Sequence, residues 1–285
     1  MTTQARPAKA TKTKQTARKS APTALITGAS SGIGEAMAVC FAQAGYELIL
    51  VARSVDKLQD LKQRLAAEHD ASGHVMAADL AVPGAASQLA SGVARKKLHV
   101  DVLVNCAGVL HQGPFSGMAG GTHQQMIDLN ISGLTAMLSA FLPAMAQRAA
   151  DGNTVRILNV ASIAAYQPVP MLATYAATKA YVLSLGESLA EELMGSGITV
   201  TTLCPGMTAT AMLGGAAGAN SKISQIPGFM VGQAQAVAQD AFNACMRGDV
   251  ICVPGAVNQA LVIGSRSAPK WLVRKVGGLL GRKAL

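Results

Sequence analysis

The chain has 285 residues, of which 50% are apolar and 14% charged, a composition that excludes a wholly disordered protein and allows one large domain. The formal net charge is +9, yet residues 1–21 and 266–285 each hold six basic residues and no acidic one. The body between them has twelve basic residues against all fifteen acidic residues, so we expect no nucleic-acid surface on the folded domain.

The chain alternates from residue 23 onward between short apolar runs and helical patterns. The apolar runs predict strands at 23–28, 47–53, 74–80, 101–108, 154–160, 198–206 and 249–255. The patterns between them predict helices near 35–45, 54–69, 84–97, 122–149 and 172–194. Because the strands are continuous apolar runs, both of their faces are expected to be buried in a parallel sheet. The predicted fold is therefore α/β, a doubly wound, Rossmann-like single domain over 22–265.

Three segments do not follow the alternation of strands and helices, and each differs from the rest of the chain in composition. Residues 1–21 predict a disordered basic arm, with an organelle transit segment as one alternative and the resemblance of 13–20 to the histone H3 tail as another. Residues 266–285 predict a basic amphipathic C-terminal extension that could contact a membrane surface, cover a pocket or pack at a subunit contact. The long small-residue stretch 206–233 predicts a binding loop or lid.

The cysteines and histidines indicate no disulfide or metal chemistry. The five cysteines are scattered without a C-x-x-C pair, which predicts a reduced, intracellular protein, expected in the cytoplasm. The five histidines have no ligand spacing, so no metal site is expected. No apolar run of bilayer-spanning length and no signal-peptide core are apparent, so neither a span nor a secretion signal is expected.

A glycine-rich turn, "TGASSGIG" at 27–34, stands between the first strand and the first helix. Its glycines are Gly28, Gly32 and Gly34. Missing side chains let the backbone approach a pyrophosphate, and the N–H groups of a helix N-terminus favour negative charge. The position of the turn predicts a dinucleotide site, the alternative being a tight turn without a ligand.

A tyrosine and a lysine lie one helical turn apart in "TYAATKAY" at 174–181. Tyr175 and Lys179 share one helix face, and an ammonium group beside a phenol is expected to lower its pKa from about 10 toward neutrality. Such a tyrosine could act as an acid and base. The alternative is an ordinary surface pair.

These motifs, with four more in the same order, resemble the short-chain dehydrogenase/reductase family over about residues 22–255. The glycine turn matches T-G-x-x-x-G-x-G, and the tyrosine and lysine match Y-x-x-x-K. The further matches are Asn105, Ala107 and Gly108 after the fourth strand, Asn130 on the next helix, Ser162 after the fifth strand, and Pro205 with Gly206 after the sixth. Cys106 is a departure, since a second asparagine is more usual there.

The resemblance implies roles for these residues. It implies four catalytic residues: Asn130, Ser162, Tyr175 and Lys179. Tyr175 would exchange a proton with the substrate oxygen, Ser162 would position that oxygen, Asn130 would support a proton-relaying water, and Lys179 would also hold the nicotinamide ribose. The implied cofactor-binding residues are Gly28, Ser30, Ser31, Gly32, Ile33, Gly34, Arg53, Asp79, Leu80, Asn105, Ala107, Gly108, Tyr175, Lys179, Pro205, Gly206, Thr208 and Thr210.

The residue after the second predicted strand indicates the cofactor. An acid there would bind the ribose 2′-OH of NAD, whereas this chain has Arg53, which suits the 2′-phosphate of NADP. NADP(H) is therefore expected in preference to NAD(H). Asp79 and Leu80 resemble the adenine contact, although Asp79 could instead only cap a turn.

The expected function is an NADP-dependent oxidoreductase that interconverts a ketone or aldehyde and an alcohol. The loop 206–233 and the C-terminal apolar residues suggest that the small-molecule substrate is a hydrophobic or bulky carbonyl compound, such as an acyl chain or a sterol-like ketone, and the resemblance implies a homo-oligomer. The alternative is a non-catalytic dinucleotide-binding protein whose basic tails bind partners.

Overall fold

The computed structural model describes residues 21–209, 232–269 and 271–275, and it places seven strands in one parallel sheet. The strands are β1 (Thr23–Thr27), β2 (Glu47–Ala52), β3 (Gly73–Ala77), β4 (Val102–Asn105), β5 (Val155–Val160), β6 (Ile198–Leu203) and β9 (Ile251–Cys252). Two further strands, β7 (Thr208–Ala209) and β8 (Gly232–Gln233), pair only with each other. The order β3-β2-β1-β4-β5-β6-β9 confirms the doubly wound sheet, with its reversal of direction between β1 and β4.

Eight α-helices connect and flank the strands within the described residues. They are α1 (Gly32–Gln43), α2 (Val55–His69), α3 (Ala85–Arg95), α4 (Gly120–Ile127), α5 (Leu134–Ala150), α6 (Ala173–Glu192), α7 (Ala234–Arg247) and α8 (Ala256–Ser267). Short 3₁₀ turns occupy Phe115–Gly117 and Ile163–Tyr166. The predicted helix at 122–149 is therefore two helices, and α7 and α8 were not predicted. The predicted boundary between 265 and 266 falls inside α8.

The core lies on both faces of the sheet, as the apolar strands predict. All five residues of β1 and all four of β4 are buried. On one face α1, α2 and α7 pack around Phe41, whose ring meets those of Tyr46 and Phe242 edge-on at 5.1 and 5.0 Å. On the other face α3, α5 and α6 cover the sheet. Successive strand residues thus face opposite layers, which fixes the register of the sheet.

One helical stretch, Gly120–Ala150, is long and apolar enough to cross a membrane by length and composition alone. It contains α4, α5 and the turn between them, and 39% of its most apolar window is buried inside the fold. Its residues Met137, Leu138 and Phe141 pack in the layer that covers the sheet. The expectation that no stretch is long and apolar enough to span a bilayer is therefore wrong by length and composition, although part of this helix packs in the core.

Candidate active site

The first βα turn and the turn after β4 are joined where the sheet order reverses. The Thr27 hydroxyl accepts hydrogen bonds from the N–H groups of Cys106 and Ala107, both at 3.0 Å, and donates one to the carbonyl of Val104 at 3.2 Å. In doubly wound sheets the crevice at this reversal is where ligands bind. The predicted residues of the two turns are therefore brought together.

The glycine positions of this turn exclude side chains, either by backbone conformation or by a close neighbour. Gly28 and Gly32 have φ angles of +69° and +60°, and a Cβ on Gly28 would lie 2.9 Å from the Cα of Ala107. A Cβ on Gly34 would collide with the carbonyl oxygen of Gly28. Ser31, at the N-cap of α1, makes no side-chain capping bond, which leaves the first-turn N–H groups for an anion. These residues fit a dinucleotide pyrophosphate.

The other predicted cofactor residues of this half follow their strands. Arg53 is exposed directly after β2 and forms no ion pair among the described residues. Asp79, also exposed, accepts a hydrogen bond from the N–H of Ala81 at 3.1 Å, which is the turn-capping role that the sequence left open. Leu80 is buried. Ser30 and Ile33 lie partly exposed on the glycine turn.

Tyr175 and Lys179 occupy the first two turns of α6 and are both buried, with 9% and 6% of their surface exposed. The Lys179 Nζ atom lies 5.7 Å from the Tyr175 ring centroid. It donates a hydrogen bond of 2.8 Å to the carbonyl of Val160, the last residue of β5. The surface-pair alternative is therefore wrong, because the two side chains lie inside the domain at the carboxyl end of the sheet.

Ser162 follows β5 and caps the 3₁₀ turn beside it. Its hydroxyl accepts a hydrogen bond from the N–H of Ala164 at 3.1 Å and donates a longer one, 3.5 Å, to the carbonyl of Pro205. The N–H of Ile163 also bonds that carbonyl, at 3.0 Å. The Pro205 turn after β6 is thus held against Ser162.

Asn130 lies in a π-helical turn, Asp128–Gly133, between α4 and α5. Its side-chain amide is buried, exchanges two hydrogen bonds of 2.9 Å with the backbone of Val109, and donates a third to Thr178 at 3.1 Å. A Cβ on Gly108 would lie 3.2 Å from the Asn130 Oδ1 atom and 3.5 Å from the Lys179 Nζ atom. Asn130 therefore clamps the turn after β4 to α6, beside the buried lysine.

Burial dominates the ionisation of the site. It raises the pKa of Tyr175 to about 12, and the nearby Ser162 hydroxyl only partly opposes this. Burial also lowers the pKa of Lys179 to about 8. The expected lowering of the Tyr175 pKa toward neutrality is therefore wrong for this geometry, because removal of the phenol from water raises its pKa and the Ser162 hydroxyl opposes this only in part. The phenol is held protonated and the ammonium is poised near neutral pH.

Comparison with known proteins decides the family. Residues 22–220 match the short chain dehydrogenase family model. The chain belongs to the short-chain dehydrogenase family. It is 34% identical over 192 residues to an uncharacterized oxidoreductase of Staphylococcus epidermidis, covering 67% of this chain and 80% of that protein. The chain is thus a short-chain dehydrogenase/reductase enzyme, an oxidoreductase.

Solved structures agree with this assignment. A short-chain dehydrogenase from Sphingobium yanoikuyae in complex with NADPH superposes with a TM-score of 0.75 at 32% identity, covering 86% of this chain and 93% of that one. The 3-ketoacyl-(acyl-carrier-protein) reductase from Brucella melitensis complexed with NADH gives a TM-score of 0.71 at 30% identity, covering 81% and 94%. Similar enzymes therefore bind either nicotinamide cofactor.

The predicted cofactor residues that follow β6 lie partly inside and partly outside the described residues. Thr208 is buried, and its hydroxyl donates to the carbonyl of Gly206 at 3.1 Å. Thr210 lies outside the described residues, as does the loop predicted at 206–233 apart from its two ends. Within the described chain no group of three histidine, cysteine or acidic side chains could hold a metal ion.

A small apolar cleft near the start of α6 was missed from the sequence. Its lining residues, which come from the loop after β4, from α4 and from the segment before Tyr175, are His111, Gly113, Phe115, Met118, His123, Met126, Met171, Leu172, Ala173 and Thr174. The N–H of Gly113 donates to the carbonyl of Met171 at 2.9 Å, and His123 Nδ1 lies 2.7 Å from the Thr174 hydroxyl. The available signal was the pair His111 and His123, which the sequence analysis considered only as possible metal ligands.

Proposed function

We propose that this enzyme reduces the carbonyl group of a hydrophobic substrate with NADPH, Tyr175 being the proton donor. The observation that carries the proposal is the convergence of three side chains at the carboxyl end of β5. Tyr175 and Lys179 are buried there together, and Ser162 lies near enough to Tyr175 to affect its pKa. A buried phenol and ammonium group without a carboxylate partner are costly to the fold, which is typical of a catalytic site.

The dinucleotide would be held by the chain's own turns. The glycine turn and the free N–H groups of α1 suit its pyrophosphate, Arg53 suits a 2′-phosphate, and Lys179 suits the nicotinamide ribose. The other proposed contacts are Asp79, Leu80, Asn105, Ala107, Gly108, Pro205, Gly206, Thr208 and Thr210. When bound, the nicotinamide supplies the hydride.

Three side chains act on the substrate oxygen. The Ser162 hydroxyl donates a hydrogen bond to that oxygen and orients it. Tyr175 gives its phenolic proton to the oxygen as negative charge develops there. The Lys179 ammonium stabilises the phenolate left behind. Because the Asn130 amide is already used in three hydrogen bonds, we propose that it positions α6, and the water relay expected from the sequence stays a prediction.

The protonation state of Tyr175 is the one that carbonyl reduction uses. Reduction needs a protonated phenol, and a pKa of about 12 keeps Tyr175 protonated at neutral pH. Alcohol oxidation needs the phenolate, which burial disfavours. The site as folded therefore holds, at neutral pH, the protonated phenol that reduction uses.

The charge on Lys179 should set the pH dependence of reduction. With saturating NADPH, we expect kcat to be constant from about pH 6 to about pH 7.5 and to fall as pH rises above about 8, where Lys179 loses its charge. Lys179→Arg keeps the charge and should move this fall to higher pH. A wild-type kcat that does not decline up to about pH 10 would contradict the role of the ammonium.

Arg53 should determine the choice of cofactor. We expect Arg53→Asp to lower kcat/KM for NADPH by about a hundredfold and to raise that for NADH, because the carboxylate repels a 2′-phosphate and accepts from a ribose hydroxyl. Arg64→Asp is a matched control, since Arg64 is exposed but already pairs with Glu35. Unchanged preference in Arg53→Asp would show that the arginine points into solvent.

The substrate is proposed to be hydrophobic because a small cleft that reaches Thr174, the residue before Tyr175, is lined by the apolar side chains of Phe115, Met118, Met126, Met171 and Leu172. NADPH consumption measured against a panel of ketones and aldehydes, from short polar to bulky apolar ones, tests the function directly. Turnover should rise with apolar size, whereas no turnover on any carbonyl would overturn the proposal. The homo-oligomer and the cytoplasmic location stay predictions.

A further inference from the structure

Helix α8 is held to the domain along one side only, and it lies beyond residues 22–220, the part that matches the family. Val262 on that side is buried, and the Asn258 amide donates to the carbonyl of Pro254 at 2.8 Å. The Arg266 guanidinium lies 5.3 Å from the Tyr166 ring centroid and 3.4 Å from the Glu187 carboxylate. These contacts fix which side of α8 faces the domain, and the opposite side of the helix therefore faces away from it.

The opposite side of α8 is apolar and open to water. At 100° per residue, one continuous arc collects the exposed residues Ala256, Val257, Ala260, Leu261, Ile263, Gly264 and Ser267, of which only the last is polar, and we term it the apolar face of α8. Val257, Leu261 and Ile263 are 53%, 49% and 65% exposed. The arc contains no charged residue. Clustered exposure of large aliphatic side chains on one helix face marks an interaction surface.

The chain continues from this face as an apolar and basic segment. After the turn at Pro269, the helical residues 271–275 expose Trp271 and Leu272, at 56% and 40%. The Lys275 Nζ atom lies 5.7 Å from the Trp271 ring centroid. Residues 250–285 hold six basic residues and no acidic one. An amphipathic helix with tryptophan and lysine or arginine at its margin is the usual composition of a segment that lies in a membrane interface.

We propose that the apolar face of α8 and residues 271–275 dock on the surface of an anionic lipid bilayer. Charge decides between this partner and a second copy of the chain. Arg266 already pairs with Glu187, but a two-fold interface would still bring together two C-terminal segments that each hold five further basic residues and no acidic one, whereas anionic headgroups neutralise them. Docking combines apolar burial with that attraction, the two signals that stable surface binding needs.

The docked face lies on the outer side of a helix whose inner side contacts the surroundings of the candidate active site. Arg266 of α8 stacks on Tyr166, in the 3₁₀ turn that Ser162 caps. A hydrophobic substrate dissolved in the bilayer would therefore be close to the site. This consequence rests on the proposed function, while the docking itself does not.

Flotation of the full-length protein with vesicles tests the docking without any activity measurement. Vesicles of phosphatidylcholine with about 30 mol% phosphatidylserine should bind at least about tenfold more protein than pure phosphatidylcholine. Leu261→Ser with Ile263→Ser should lower the partition coefficient about a hundredfold, and Arg274→Gln with Lys275→Gln about twentyfold. Met194→Ser, which removes a 72% exposed apolar side chain after α6, is the matched control and should bind as wild type does.

Three results would overturn the proposal. They are wild-type binding that shows no preference for the anionic vesicles, loss of binding in Met194→Ser equal to that in the α8 variant, and a smaller mass by light scattering in the α8 variant with vesicle binding unchanged. The last result would assign the face to a contact between copies. NADPH binding by each variant, followed by nucleotide fluorescence, shows that the domain is folded.

Discussion

Tyr175→Phe is expected to lower kcat for carbonyl reduction by about a thousandfold while leaving the Kd for NADPH within about threefold of the wild-type value. The phenylalanine keeps the ring that α6 buries but has no proton to give to the substrate oxygen. Burial holds the pKa of Tyr175 at about 12, so the proton that is lost is one the enzyme carries throughout the neutral range. Steady-state kinetics and fluorescence titration of NADPH measure the two effects separately.

Tyr181→Phe provides the control on the same helix. Tyr181 is 37% exposed, and its hydroxyl lies 2.9 Å from that of Thr135 on α5, away from the buried lysine. Its substitution should leave kcat within about twofold, since a half-exposed hydrogen bond contributes little. If kcat fell equally in Tyr175→Phe and Tyr181→Phe, Tyr175 would act through packing and not through its proton.

Lys179→Met is expected to separate activity from stability. Losing the ammonium should lower kcat/KM by about a hundredfold, because the phenolate and the cofactor ribose lose their cation. Burial has already lowered the pKa of this lysine to about 8, so the fold holds the charge at a cost. Replacing it with an apolar chain of similar length should leave the free energy of unfolding unchanged or raise it by roughly 1 kcal/mol.

Steady-state kinetics of Lys179→Met measure the expected loss of kcat/KM, and thermal unfolding of the same preparation measures the change in stability. Lys179→Met also loses the hydrogen bond to the carbonyl of Val160, and this loss limits the expected increase in the free energy of unfolding. Lys57→Met, an exposed change on α2, should alter neither quantity. A Tm that falls by several degrees in Lys179→Met would show that the lysine is a structural residue.

The sequence predicts the fold because its local signals agree with the tertiary contacts. The run 23–28 ends at Gly28, and only a residue without a Cβ fits against the turn after β4, so the motif and the packing select the same conformation. Helix α7 carried a usable signal, since Val237, Ala241 and Cys245 recur at helical spacing and are buried. The π-helical turn at Asp128–Gly133 had no such signal, because the bonds of Asn130 to Val109 and Thr178 are long-range.

The sequence and the family resemblance predict which residues form the site, but they do not predict how those residues ionise. The spacing of Tyr175 and Lys179 correctly predicts that they share a helix face. It gives no measure of how completely α6 and the sheet remove them from water, and that removal reverses the expected direction of the tyrosine pKa shift. The apolar face of α8 was missed for a related reason: exposure depends on which side of the helix the domain covers.

A crystal structure of the enzyme with NADPH tests the central claim most directly. The account predicts the Tyr175 hydroxyl within about 4 Å of the nicotinamide C4 atom, the Lys179 ammonium on the nicotinamide ribose, and the pyrophosphate on the first turn of α1. A nucleotide bound with its nicotinamide ring more than about 8 Å from that hydroxyl would contradict it, as would failure of the folded protein to bind NADPH or NADH at all.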